Sequence, residues 1–92
     1  MSFSKESAVE RAKQDLAQRL GVPESEISSS ASEVDFPDMS LGAPVDDEMS
    51  GQMISSGWRI DLGANGENYE YRADKYQLRL RGFNGTNYII ES

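Results

Sequence analysis

Between Gly57 and Leu80 the chain alternates apolar and polar residues around an Asn-Gly pair, and this stretch limits the possible folds more than any other. Trp58, Ile60 and Leu62 are separated by Arg59 and Asp61, while Tyr69, Tyr71 and Ala73 are separated by Glu70 and Arg72. Asn65-Gly66 stands between the two runs, and that dipeptide favours the two-residue turn whose twist matches flanking strands. With Asn65-Gly66 as the turn, Leu62 faces Tyr69, Ile60 faces Tyr71 and Trp58 faces Ala73. A second tight turn at Asp74-Lys75 sets Tyr71 opposite Leu78 and Tyr69 opposite Leu80. One face of three strands is then apolar and the other polar. A slip of one residue would send every side chain to the wrong face, so the pattern fixes an antiparallel meander.

The polar face carries Arg59, Arg72, Arg79 and Arg81 together with Asp61 and Glu70. The expected register places Glu70 opposite Arg79, with Asp61 on its other side. Cross-strand charge pairs of this kind contribute roughly 0.2–1 kcal/mol each. Tyrosines interleaved with arginines would suggest nucleic acid, but here they fall on the opposite face and acids stand among the bases. A solvated charge ladder is the expectation.

Residues 7–20 read as a helix. Val9, Ala12, Leu16 and Leu20 recur at spacings of three, four and four, forming one apolar stripe that needs a partner surface. Either Ser4 or Ser7 serves as N-cap, and Ser7 stands three residues before Glu10, the spacing of a capping box. Gly21 suits the left-handed position that closes a helix, and Pro23 the start of a short turn. Residues 27–36 read as a weak edge strand, in which Val34 and Phe36 alternate with Glu33 and Asp35. The three hairpin strands are expected over about 54–63, 67–73 and 76–81. Beyond them, Gly82-Phe83-Asn84-Gly85-Thr86 is a glycine-rich turn, and Tyr88-Ile89-Ile90 is either a short last strand or a tail laid over the core.

Ninety-two residues make one domain, spanning 1–92, with one modest core. The predicted architecture is α+β: an N-terminal helix on an antiparallel sheet of three to four strands, cystatin-like or PepSY-like in outline. Trp58, Ile60, Leu62, Tyr69, Tyr71, Leu78 and Leu80 are expected to face Val9, Leu16 and Leu20. That outline is an analogy of shape and implies no function.

Composition removes several chemistries. The chain has no cysteine and no histidine, which excludes disulfides, thiol nucleophiles, Ser-His-Asp triads and imidazole-bound zinc. No phosphate-binding glycine pattern is present, because Gly63-Ala64-Asn65-Gly66 turns a hairpin and opens no helix. The sequence therefore predicts neither an enzyme nor a cofactor. The net charge of −7 lies wholly in residues 1–57, which hold 11 acids and 4 bases, whereas residues 58–92 hold 5 of each. Such a chain repels nucleic acid and anionic membranes, and any electrostatic partner is a basic protein. No run approaches the roughly 18 apolar residues of a membrane span, and the charged start carries no signal-like segment. A cytoplasmic monomer is the expectation.

The long irregular segment 37–53 holds the candidate site. Pro37, Gly42, Pro44 and Gly51 punctuate it, and loops of this length in compact domains are usually functional or disordered. Pro37, Asp38, Met39, Ser40, Leu41 and Pro44 form a proline-bracketed segment suited to recognition by a partner, a protease cleft included. Alternatively, Met39 and Leu41 fold back to close the core. Asp46, Asp47 and Glu48, with Asp35 and Asp38 nearby, are the candidate ligands of a calcium ion, although their spacing does not match the helix-loop-helix calcium loop.

Three stretches carry a family resemblance: residues 12–22, ending Leu20-Gly21-Val22; Phe36-Pro37-Asp38-x-Ser40-Leu41-Gly42-x-Pro44; and Gly57-Trp58-Arg59-Ile60-x-Leu62 with Tyr69-x-Tyr71-Arg72. Together they resemble a small bacterial domain family with a Trp/Phe-Pro-Asp-x-Ser-Leu-Gly-Cys-Pro motif, over roughly residues 8–81. No activity is established for that family, so the resemblance implies none. Many relatives look secreted or lipoprotein-like and carry a cysteine after Ser-Leu-Gly and another near the end of the last shared strand. Here Ala43 takes the first position and Leu80-Arg81-Gly82 has no cysteine for the second. The joint loss implies that a disulfide of those relatives has no counterpart in this chain.

Overall fold

The computed structural model describes residues 2–46, 48, 49, 51 and 53–92. One helix, α1 (Lys5–Leu20), is followed by a 3-10 turn at Glu24–Glu26 and five strands: β1 (Ser28–Phe36), β2 (Ser55–Ala64), β3 (Glu67–Ala73), β4 (Leu78–Phe83) and β5 (Thr86–Glu91). The strands form one antiparallel sheet in sequence order. The fold is thus α+β, with five strands where three to four are expected from the sequence. Among the described residues no helix is long and apolar enough to cross a membrane.

Local chemistry sets the ends of these elements. Ser4 caps α1: its hydroxyl accepts from Ser7 N–H at 3.2 Å, and Ser7 Oγ accepts from Ser4 N–H at 2.8 Å. The capping box is therefore closed by Ser7 one turn before Glu10, and the helix starts two residues earlier than the apolar stripe indicates. Gly21, at φ 68°, ends it in the left-handed region.

The β2–β3 register follows the Asn65-Gly66 turn, with Leu62 opposite Tyr69, Ile60 opposite Tyr71 and Trp58 opposite Ala73. Asn65 and Gly66 both have positive φ (54° and 77°), the requirement of this turn type. The β3–β4 connection corrects the expected register. Tyr71 pairs with Leu80 and Ala73 with Leu78, while Glu70 faces Arg81 and Arg72 faces Arg79. The cause is Asp74, whose carboxylate accepts from the N–H groups of Tyr76 (2.8 Å) and Gln77 (3.0 Å) and so holds a four-residue turn. The shift is two residues, so both faces keep their polarity. The fifth strand arises from a second Asn-Gly turn: Asn84 and Gly85 sit at φ 52° and 81°, and Phe83 pairs with Thr86.

The core lies between α1 and one face of the sheet. Ala8, Ala12 and Leu16 are fully buried against Ile60, Leu62, Tyr71, Ala73, Leu78 and Leu80. Ala12 and Leu16 are buried as the spacing indicates, while Val9 and Leu20 flank the seam half-buried and Ala8 takes the buried place in the first turns. Two alanines at the seam let the helix sit close to the sheet. Tyr71 then reaches across: its hydroxyl donates to Asp15 Oδ2 at 2.7 Å, and Arg19 Nε donates to the same oxygen at 2.7 Å. Burial first, and then this hydrogen bond, push the phenol far above its ordinary value. Arg19 also lies over the rings of Tyr88 (4.5 Å) and Phe83 (5.3 Å), which joins the helix C-terminus to β4 and β5.

Replacing Tyr71 by phenylalanine keeps the packing and removes this donor. The expected cost is about 1–2 kcal/mol, read as a lower urea midpoint at unchanged slope.

Candidate functional site

The second face of the sheet is not open to solvent across its width. After Phe36 the chain turns back and lies over β3 and β4, and sheet side chains take its carbonyl oxygens one after another. Gln77 Nε2 donates to Met39 O (2.7 Å), Arg72 Nη1 to Leu41 O (2.9 Å), Arg79 Nη1 to Ala43 O (3.1 Å) and Asn87 Nδ2 to Pro44 O (2.8 Å). Among the described residues none of these four carbonyls accepts from a backbone N–H of the loop, and the sheet side chains supply their partners.

The loop's shape comes from Asp38. Its Oδ1 accepts from Ser40 Oγ (2.6 Å), Ser40 N–H (3.0 Å) and Gly42 N–H (3.2 Å), winding residues 38–42 into a tight turn. Leu41 and Gly42 follow each other in the left-handed region, at φ 60° and 67°. A leucine there costs energy, which its complete burial and the Arg72 hydrogen bond offset. Gly42 is required twice over, because a Cβ at its position would run into Arg72 Nη1. Arg72 is fixed in turn by Glu70 Oε2 at 2.6 Å and by the Phe36 ring, 5.5 Å below its guanidinium.

Arg79 is the deepest of these groups, 4% exposed. Both of its terminal nitrogens pair with the Glu48 carboxylate, the Nη1–Oε1 bond at 2.6 Å, and its Nε donates to Gln77 Oε1 at 2.7 Å. Such a fork-to-fork pair adds direction as well as strength. Glu48 also accepts from Val45 N–H at 3.2 Å.

These contacts divide the expected partner-binding set. Pro37, Met39 and Pro44 are exposed and Asp38 is half-buried, while Ser40 and Leu41 are buried. Leu41 thus closes the core of this face, together with Phe36 and Ala43, and is withdrawn from any partner. Residues 38–42 are wound into a turn and are not laid out as an extended strand. The expectation of a wholly solvated arginine ladder also needs correction. Arg59 and Arg81 are exposed and stand 3.6 Å and 3.8 Å from Glu70, but Arg72 and Arg79 lie under the loop. Alternation told which face they occupy; it could not tell what covers that face.

The carboxylates do not converge. Glu48 is held by Arg79, Asp38 by its own turn and Asp35 by Ser56 Oγ at 2.9 Å; Asp46 is exposed, and Asp47 lies outside the described residues. Among the described residues no group of three or more Asp or Glu side chains is placed to hold a metal ion. Sequence reasoning missed Arg72, Gln77, Arg79 and Asn87 as loop anchors, and the only local signal was the excess of long donors on one face.

Asp38 is held below its ordinary 3.8, first by the Ser40 hydroxyl and then by Gly42 N–H, and Glu48 below its ordinary 4.5, chiefly by Arg79. Both carboxyls therefore bind protons more readily in the unfolded chain. Their stabilisation is complete above the unfolded values and is lost as pH falls through the lower folded ones. Between about pH 5 and pH 3, wild type should lose stability more steeply than an Asp38→Asn/Glu48→Gln variant in urea titrations; parallel curves would refute this. At neutral pH, Arg79→Met leaves Glu48 without its cation and Ala43 O without its donor. The expected cost is about 2–4 kcal/mol, with new protease cleavage within residues 44–54.

No curated protein and no solved structure matches the chain. Compared with known families, residues 9–81 match the domain of unknown function DUF8738. The match runs from α1 into β4, so it takes in the loop, its Asp38 turn and both arginine anchors. This chain belongs to the DUF8738 family.

Proposed function

We propose that this protein is a non-enzymatic interaction module whose loop 37–53, with Ile54 just before β2, presents an apolar surface to a protein partner. The observation that supports this reading is the contrast between the loop's two sides. Its inner side is fastened by four side-chain-to-carbonyl hydrogen bonds, while its outer side leaves Met39, Met49, Met53 and Ile54 in solvent, 50%, 98%, 67% and 74% exposed.

Met39 meets the 49–54 stretch at Gly51, which stands between Met49 and Met53 in the sequence. Met39 N–H donates to Gly51 O at 3.0 Å, its side chain lies against Gly51, and its carbonyl is held by Gln77, next to the exposed Tyr76. Clustered exposed apolar groups are uncommon on monomers without a partner. Methionine, flexible and polarisable, adapts to varied surfaces. A loop already fixed from below loses little entropy when it binds, so its apolar contacts are not spent on ordering it.

The acidic charge favours a basic partner, and the working compartment on this reading is the cytoplasm. The family likeness read from the sequence fits the same picture. The resemblance implies, in many relatives, a cysteine at the position of Ala43 and another near the end of the last shared strand; in this chain Arg79 Nη1 donates to Ala43 O between the same segments. The cystatin-like or PepSY-like outline, a helix laid on an antiparallel meander, adds no activity to the proposal.

The test compares Met39→Ser/Met53→Ser/Ile54→Ser with wild type in capture from native extract. The variant should keep its melting temperature within a few degrees, since surface changes of this kind cost about 0.5 kcal/mol or less each, and should lose the captured protein. Equal capture by both proteins overturns the reading. Leu41→Ala serves as the contrast: it should lower stability by about 2–5 kcal/mol, because the side chain is fully buried.

A further inference from the structure

We infer that the outer edge of β1, with the furrow between it and α1, is a second docking surface that takes an extended basic peptide as a sixth strand. This surface is separate from the methionine-bearing loop side, and the inference does not rest on that reading.

The sheet order leaves two strands with one neighbour each, β1 and β5, and the two edges are built differently. β5 has six residues, and its ladder with β4 is broken by two register shifts. Its Asn87 is turned to Pro44 O and to Gly82 N–H. That edge is blunted in the manner of strands that must not pair further. β1 is nine residues long and pairs without interruption from Ser28 opposite Gly63 to Phe36 opposite Ser55. It holds no proline, no lysine and no bulge, so its free edge is guarded only by the carboxylates of Glu33 and Asp35, which repel a second acidic strand but not a basic one. A regular strand of this length offers a row of backbone donors and acceptors to an added strand.

Charge decides the occupant. The register puts Ser29, Ala31, Glu33 and Asp35 on the helix-covered face, opposite Leu62, Ile60, Trp58 and Ser56, and Ser28, Ser30 and Ser32 on the other. On the helix side an open furrow of about 360 Å³ runs between α1 and β1, lined by Lys5, Glu6, Val9, Glu10, Ser29, Ser30 and Ala31. Exposed Glu24 and Glu26 lead into the strand. Among the described residues none of Glu6, Glu10, Glu24, Glu26, Glu33 and Asp35 is engaged in a salt bridge. The nearby bases are Lys5 in the furrow and Lys75, which borders Glu33 and Asp35. Two copies joined edge to edge would bring these carboxylates together on chains of net charge −7. A basic strand meets all of them. Because Glu33 and Asp35 share one face, the matching residues are lysines or arginines at every second position, with small polar residues between them facing the serine row.

The experiment uses the full chain and three labelled nine-residue peptides: lysine alternating with threonine, the same composition with the lysines grouped together, and glutamate alternating with threonine. Binding is followed by fluorescence anisotropy at low and physiological salt, and β1 by amide hydrogen exchange. The alternating lysine peptide should bind about tenfold tighter than the grouped one and slow exchange along residues 28–36. Glu33→Lys/Asp35→Lys should lose that peptide by about tenfold and gain the glutamate peptide. Met39→Ser/Met53→Ser/Ile54→Ser should bind it as wild type does, which separates this surface from the loop. Equal affinity for grouped and alternating lysines, unchanged exchange in β1, or a β1-paired dimer of the chain in solution would each overturn the proposal.

Discussion

Arg79 is the group on which the second face of the sheet depends. A guanidinium 4% exposed between the sheet and its covering loop is costly unless its donors are used. Its donors go to Glu48, Ala43 O and Gln77 Oε1. The first two partners lie in the loop and the third is the residue that holds Met39 O. Satisfying one buried charge therefore places both ends of an irregular segment. Arg72, with Leu41 O and Gly42 packed against it, fixes the middle. The loop in return keeps water from both arginines, so cover and anchor depend on each other.

This arrangement makes a three-layer molecule from a chain with a single helix. One layer interface, α1 on the sheet, is apolar apart from the Tyr71–Asp15–Arg19 relay. The other, the loop on the sheet, is held by directed bonds around a small apolar patch of Phe36, Leu41 and Ala43. The two differ in what disturbs them: the first yields to loss of volume, the second to loss of charge or of a single donor.

The sequence was legible where one residue or dipeptide dictates geometry. Asn65-Gly66 determines the β2–β3 register, and the face assignment holds even though alternation makes the next turn two residues too short. That error has a physical source: Asp74 builds its turn with a side-chain oxygen, which alternation does not record. Asn84-Gly85 carries the same signal as Asn65-Gly66, but the glycines around it obscure a two-residue turn, and the sequence leaves β5 open as strand or tail. The loop was harder to read for a different reason. Its bonds run from side chains to carbonyls, and every residue has a carbonyl. Nothing in the letters at 39, 41, 43 or 44 says that those oxygens will be taken, so Leu41 looked as available as Met39.

The order of strands has a consequence for how the chain reaches this state. β2, β3, β4 and β5 are joined by short turns, and each pairs with its neighbour in sequence. β1 meets β2 only after the 18 residues of 37–54 have been closed into a loop. Relative to a two-residue turn, that closure costs about 2 kcal/mol more in chain entropy. The four-strand meander can form from local contacts alone, whereas β1 and the loop are long-range additions to it. The loop's carbonyls find their donors only on a sheet that already exists, so β1 and its connection dock after the meander has formed.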